Sequence, residues 1–227
     1  MNLLAFDTST DTLFIAVQRG DQVWQHQAAG GANSSSTLIP SIQQGLQALD
    51  LRLQDLQAIV FGQGPGSFTG LRTACSIAQG LALGAQLPLL PIETLLVVAE
   101  TARHTHGVTD VMAVLDARMS EVYHAGYRWQ DGVWQTTQPL GLSAPGALQV
   151  PAGLSVVGNA HAAYADLAPQ HPHLPALPSA TALLRLAPQR IADGRLVDAS
   201  YALPLYIRDK VAQTTAEREA ARQAAQP

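Results

Sequence analysis

The sequence predicts an α/β fold built as two related halves, and three observations carry that expectation. The stretch from Ala5 to Val17, with an aspartate at Asp7 and apolar pairs after it, reappears as Val114 to Gly126 around Asp116. Asp21-Gln-Val-Trp24-Gln25 then returns as Asp131-Gly-Val-Trp134-Gln135 after a one-residue insertion. Between the copies, the apolar run Ala58 to Phe61 passes through the glycine-dense turn Gly62 to Gly70 into a long Ala-rich helical pattern, which reads as strand, loop and helix N-terminus.

Each repeat unit reads as a strand ending at an aspartate, a tight polar turn, and two alternating strands joined by a hairpin at Arg19-Gly20-Asp21 or Gln130-Asp131-Gly132. Ser36 is a candidate N-cap for a helix over 38–49, and a second helix begins at Thr69 or Gly70 and runs to about Ala85. Residues 88–92 form a short strand and 93–104 a third helix. In the second half, 154–157 is a strand ending at Gly158, and Ser179 opens a helix to about Asp193. Residues 137–151 and the Pro-rich 169–178 read as loops. The division expected is a first domain over 1–107, a second over 108–213, and a frayed or disordered tail over 214–227, where no apolar stripe exists.

Composition narrows the function. The chain of 227 residues is 47% hydrophobic, ample for real cores, and its net charge of −4 offers no basic footprint for holding nucleic acid unaided. Lys210 is the sole lysine, so the glycine turn is not a P-loop. Cys75 is the sole cysteine and falls on an apolar helix face, where a small buried hydrophobe is its usual role. The N-terminus lacks a basic leader, and the apolar stretch 81–99 is broken by Gln86, Pro88, Pro91 and Glu93, so a soluble cytoplasmic protein without a membrane span is expected.

The candidate chemistries are weak. Asp7, Asp11, Asp116 and Glu121 could hold the metals of a two-metal nuclease, but a strand-end aspartate followed by Thr or Ser is more commonly an Asx-type turn. His104 and His106, and His171 and His173, lack metal-site spacing, so no metal site is expected. Ser67 lacks the G-x-S-x-G context of a hydrolase nucleophile and reads, with Thr69, as a helix cap.

The positive signal is the helix after the glycine turn. Leu71, Ala74, Cys75, Ala78, Leu81, Ala82 and Ala85 form one apolar face, the remaining positions include Thr73, Ser76, Ile77, Gly80, Leu83 and Gly84, which are small or apolar too, and no charge occurs between Arg72 and Glu93. Such a helix is either enclosed by its own domain or packed against another protein, and the pattern leaves both open.

Strand hairpins followed by alternating helices and strands, in two copies, fit the duplicated ribonuclease H-like or actin-like ATPase (ASKHA) architecture, in which a nucleotide lies between the halves on one glycine-containing hairpin from each. The corresponding turns here, Asp7-Thr-Ser-Thr-Asp11 and Asp116-Ala-Arg-Met-Ser120, contain no glycine. The scaffold of a nucleotide site is expected without its phosphate loops.

The blocks Gly62 to Arg72, Ala78-Gln-Gly-Leu-Ala82, Asp116 to Tyr123 and Tyr206-Ile-Arg-Asp-Lys-Val211 make the chain resemble the bacterial TsaB family over nearly its whole length, to about Val211. The resemblance implies a part in installing N6-threonylcarbamoyladenosine (t6A) at position 37 of tRNAs reading codons that begin with adenine. It implies a non-catalytic relative of the transferase TsaD that dimerises with TsaD, assembles with the ATPase TsaE and reaches tRNA only through the complex. Where the catalytic relative carries a metal-binding H-x-x-x-H, this chain has Glu93 to Val97. ATP and a metal ion are accordingly expected on the partner subunits, with no cofactor on this chain and no catalytic residue.

The resemblance also implies that the two helices at about 38–49 and 70–85 form a bundle with TsaD or with a second copy. The interface residues expected are Leu38, Ile42, Gly70, Leu71, Ala74, Cys75, Ala78, Leu81 and Ala82. Gly64, Gly66, Ser67, Thr69 and Arg72 are expected to form an anion or interface loop. Ala78→Arg or Leu71→Glu should then break partner binding in a folded chain, although the pattern does not say which helix face points outward. Two alternatives remain: an actin-like ATPase or phosphotransferase in its own right, and a peptidase-like protein acting on its TsaD partner.

Overall fold

The computed structural model describes residues 1–31 and 34–208. The tail expected to be frayed over 214–227, and the last three residues of the motif at 206–211, lie outside the described residues. In the first half, β1 (Asn2–Asp7), β2 (Thr12–Arg19) and β3 (Gln22–Ala29) are followed by α1 (Ser34–Ala48), β4 (Ala58–Gly64), α2 (Phe68–Ala85), β5 (Leu89–Glu93) and α3 (Thr94–His106). The second half repeats this with β6 (Asp110–Asp116), β7 (Val122–Gln130), β8 (Val133–Ser143), β9 (Ser155–Gly158), α4 (Ala160–Ala163), β10 (His173–Pro175) and α5 (Ala180–Ala192).

The two sheets have the same order, β3-β2-β1-β4-β5 and β8-β7-β6-β9-β10. In each, the first three strands are antiparallel and the last two join in parallel. The hairpin register differs by one residue between the halves: Asp7 opposes Phe14 in the first, whereas Asp116 opposes Val122, the counterpart of Leu13, in the second. The fold is therefore a duplicated two-half α/β structure, as the repeat predicts.

Helices cover both faces of the first sheet, which is why β1 reads as an unbroken apolar run and is buried along Leu3 to Phe6. One face meets α1 and α2 through Leu4, Phe6, Ile15, Leu38, Ile42 and Ala78. The other, through Leu3, Ala5 and Val60, joins α3, α5 and the inner face of the second sheet in a single interior. The outer face of the second sheet has a thinner cover, with Met112, Val114 and Val156 beneath Leu154, Ala160 and Leu167.

Three expectations need correction. Residues 137–143 are not loop but the end of β8: the long β7 needs a partner, and register shifts at His124/Gly126 and Gly126/Tyr127 let an edge strand containing Pro139 continue. Within 169–178, residues 173–175 form β10, an edge strand where a proline costs no ladder bond. The first helix starts at Ser34, ahead of the expected cap Ser36, and carries Pro40 inside it.

Candidate functional site

The carboxyl-terminal ends of β1, β4 and β6 converge on a cleft between the halves. At its first side, the glycine turn is packed against the turn that follows β1. Gly62 leaves room for the Asp7 carboxyl, since a Cβ there would sit 1.8 Å from Asp7 Oδ2. Gly70 does the same for the backbone, its Cβ position lying 1.9 Å from the Thr8 carbonyl oxygen. The close approach is sealed by Ser67 N donating to Ser9 O at 2.8 Å and Thr8 Oγ1 donating to Gly70 O at 2.7 Å. The glycines thus receive another piece of this same chain.

The other loop residues follow from this packing. Ser67 is the N-cap of α2, its hydroxyl accepting from Gly70 N. Gly64 N donates to the buried Thr94 Oγ1 at 3.2 Å, and Gly66 lies against the Ser9 carbonyl. Thr69 is exposed in the first turn, its carbonyl accepting from the Thr73 hydroxyl. Arg72 stacks over the Phe68 ring at 3.8 Å and donates from Nε to the Tyr206 hydroxyl at 3.0 Å.

Asp7 is fully buried, and its Oδ1 accepts from both the amide and the hydroxyl of Ser9, while Oδ2 finds no partner among the described residues. Burial raises its pKa, with the two Ser9 bonds opposing. The equivalent Asp116 accepts from Tyr164 Oη at 3.0 Å and pairs with Arg118, which reaches across the cleft to Asp11 at 2.7 Å. Glu121 pairs with Arg208. Asp11, Asp116 and Glu121 are each paired with an arginine, and among the described residues no three His, Cys, Asp or Glu side chains group as metal ligands would. The remaining cavity has a volume of about 340 Å³ and is walled by both turns, the glycine loop and residues 205–208.

At the positions set against a metal-binding pair, the Tyr127 hydroxyl donates to the Glu93 carboxylate and Val97 is fully buried in the shared interior. Burial raises the Glu93 carboxyl, opposed by the Tyr127 bond, and it raises the Tyr127 hydroxyl well above its ordinary range. His106, His171 and His173 each bond a backbone carbonyl. Cys75 is buried beside the Ala202 carbonyl at 3.3 Å, and burial raises its thiol pKa.

The structure fixes the orientation that the helical pattern left open. Leu38, Ile42, Gly70, Leu71, Ala74, Cys75, Ala78 and Ala82 are buried in the chain itself, and Leu81 is partly buried beside them. They form the inward face, because an apolar stripe on α2 must cover β4 before it can cover anything else. The outward face of α2 carries Arg72, Ser76, Gly80, Leu83 and Gly84, and α1 exposes Ile39. Ala78→Arg and Leu71→Glu are therefore core substitutions, which corrects their use as probes of a partner surface. Sequence reasoning missed Arg118, Tyr206 and Arg208 as cleft residues; the repeat flagged the turn at 116–120, but no spacing links it to residues 90 positions later.

Comparison with known proteins places this architecture. The family model of TsaD, described as tRNA N6-adenosine threonylcarbamoyltransferase, matches residues 21–216. The tRNA threonylcarbamoyladenosine biosynthesis protein TsaB of Escherichia coli is 34% identical over 223 residues, covering 93% of this chain and 96% of that one. This chain belongs to the TsaB family. The Haemophilus influenzae TsaB is 42% identical over 124 residues, 54% of this chain and 52% of its own. The solved structure of YeaZ from Pseudomonas aeruginosa superposes with a TM-score of 0.84 at 34% identity, covering 90% of this chain and 99% of that one. A second Pseudomonas aeruginosa structure, described as an uncharacterized protein with similarity to peptidase YEAZ, gives 0.85 at 34% identity, with 91% and 99% covered. No helix among the described residues is long and apolar enough to cross a membrane.

Proposed function

We propose that this chain serves t6A biosynthesis as a non-catalytic subunit, binding and activating TsaD and assembling with TsaE for threonylcarbamoyl transfer to adenosine 37 of tRNA in the cytoplasm. Membership of the TsaB family supports the pathway. The observation that supports the non-catalytic part is the cleft. Its two turns lack glycine, Asp11 and Asp116 face the space that phosphates would need, and Arg118 already bridges them. A triphosphate there would meet two carboxylates and would have to displace their cation. ATP and the catalytic metal are accordingly assigned to the partners.

Two residue types that a peptidase would need are otherwise engaged: Ser67 Oγ caps α2, and Cys75 is buried. The partner surface is proposed on the outward side of α1 and α2, where Gly80 and Gly84 would allow close helix approach and Ile39 and Leu83 would be covered. One observation favours a second reading, an ATPase in its own right: the cavity between the halves is about 340 Å³. The test is light scattering of this chain alone and mixed with TsaD, followed by a transfer assay with TsaE, ATP, threonylcarbamoyl-adenylate and tRNA. A complex whose activity needs this chain is expected. No complex and no dependence, with saturable Mg²⁺–ATP binding by the isolated chain, would replace this reading with the ATPase.

A further inference from the structure

The segment after α5 bonds both halves across the cleft. Val197 pairs with Leu89 on the free edge of β5, and the chain then lies along α2, where the Gln79 amide donates to the carbonyls of Ala199 (3.1 Å) and Ala202 (3.0 Å). Leu205 N donates to Gln63 O at 2.7 Å, tying the segment to the glycine turn. Tyr206 packs on Phe68 and accepts from Arg72. Two residues later the segment reaches the other half, where the Arg208 guanidinium donates to Ala117 O at 3.1 Å, Arg118 O at 3.4 Å and the Glu121 carboxylate.

What Arg208 holds is an unusual turn. Arg118, Met119 and Ser120 have φ of 60°, 55° and 57°, a run of three non-glycine residues in the left-handed region, which such residues enter only when the surroundings impose it. The carbonyls of Ala117 and Arg118 belong to that turn, and the same turn carries Arg118 across to Asp11. Removing the clamp leaves a strained turn without the three bonds from Arg208, held from the other half through Arg118 and Asp11 alone among the bonds named.

We propose that residues 205–208 are a latch on the cleft. Arg208 holds the left-handed turn closed, and Tyr206 links that hold to α2 through Arg72, so that displacement of Arg72 is felt at 118–120 in the opposite half. The latch is a property of the isolated chain. Its use as a relay from a subunit seated on α2 rests on the function proposed above.

Hydrogen–deuterium exchange on the full chain tests both levels. The reporters are the amides of Ala117, Arg118 and Glu121, bonded to Glu121 O, Asp116 Oδ1 and Arg118 O, with β1 and β4 as controls for the fold. Arg208→Ala should speed exchange of the three reporters by about tenfold, and Tyr206→Phe and Arg72→Ala should speed the same amides by about threefold, with the controls unmoved. If Arg208→Ala also loosens the controls, Arg208→Lys replaces it, keeping the charge but losing the span across two carbonyls. Reporters that ignore Arg208, or that respond to Arg208 but not to Tyr206→Phe and Arg72→Ala, overturn the latch.

The relay is read in the complex with TsaD. A change in reporter exchange on binding that is lost in Tyr206→Phe supports it, and a complex with unmoved reporters overturns it. Failure to form any complex counts against the proposed function and leaves the latch to stand or fall on the isolated chain.

Discussion

In the first half of the molecule the outer sheet face lies beneath α1 and α2, helices of 15 and 18 residues, whereas the same face of the second half lies beneath the 4-residue α4 and the loops around it. The sheets themselves have the same strand order. The difference teaches that the duplicated strands set the architecture while the helices on one half alone provide a broad outward surface. The strand-end aspartates diverge in the same way: Asp7 is sealed from solvent and bonded to Ser9, with no ion pair among the described residues, and Asp116 is paired with Arg118 at the cleft.

The largest effects should come from the contacts particular to the first half. Gly62→Ala and Gly70→Ala each push a Cβ to within 2 Å of a buried oxygen and should cost about 4 kcal/mol or more, or prevent folding, in denaturant titrations. On α2, which carries Gly70, Gly80→Ala and Gly84→Ala meet open space and should stabilise the isolated chain by roughly 0.5–1 kcal/mol each. Equal effects at Gly70, Gly80 and Gly84 would remove the distinction between the inward and outward sides of α2.

Next come the buried and exposed leucines of α2. Leu71→Glu should destabilise by about 3 kcal/mol or more, since it buries a carboxylate without a partner. Leu83→Glu should leave the unfolding midpoint within about 0.5 kcal/mol of wild type while abolishing the TsaD complex in light scattering. A complex unaffected by Leu83→Glu would move the partner surface away from this end of α2.

The two strand-end aspartates should respond oppositely to loss of their charge. The folded-state pKa of Asp7 is raised, so its contribution is fully present below the unfolded pKa and is lost as pH rises through the folded value. Asp7→Asn should therefore stabilise at pH 7 relative to wild type, by an increment that disappears below the ordinary aspartate range, as melts across pH 3–8 would measure. Asp116→Asn should do the reverse at pH 7, losing the pairing with Arg118 at a cost of about 1 kcal/mol or less that added salt diminishes. The smallest effect is expected from Arg118→Ala, about 0.5 kcal/mol, because that side chain is largely exposed.

Much of the fold was legible because it depends on local patterns. Asp7 and Asp116 with their apolar neighbours announced the repeat, and Ser67, Ser179 and the glycines at 62–70 marked helix starts that the structure places within a residue or two. The end of β8 and the short β10 were not legible, since Pro139, Gly141 and Pro175 are loop signals locally, and only pairing with β7 and β9 makes strands of them. The cleft was half legible: its turns could be named, but not their occupants.

The sequence by itself determined the duplicated α/β plan, the absence of glycine from both cleft turns, and the family, because periodicity, turn chemistry and motif order are properties of neighbours along the chain. Only the tertiary structure decided that Leu71 and Ala78 face inward, that Gly62 and Gly70 make room for Asp7 and Thr8, and that Arg208 clamps a turn some 90 residues away. Those depend on which surfaces meet. Burial and steric fit between distant segments are set by the whole packed interior, which no local pattern encodes.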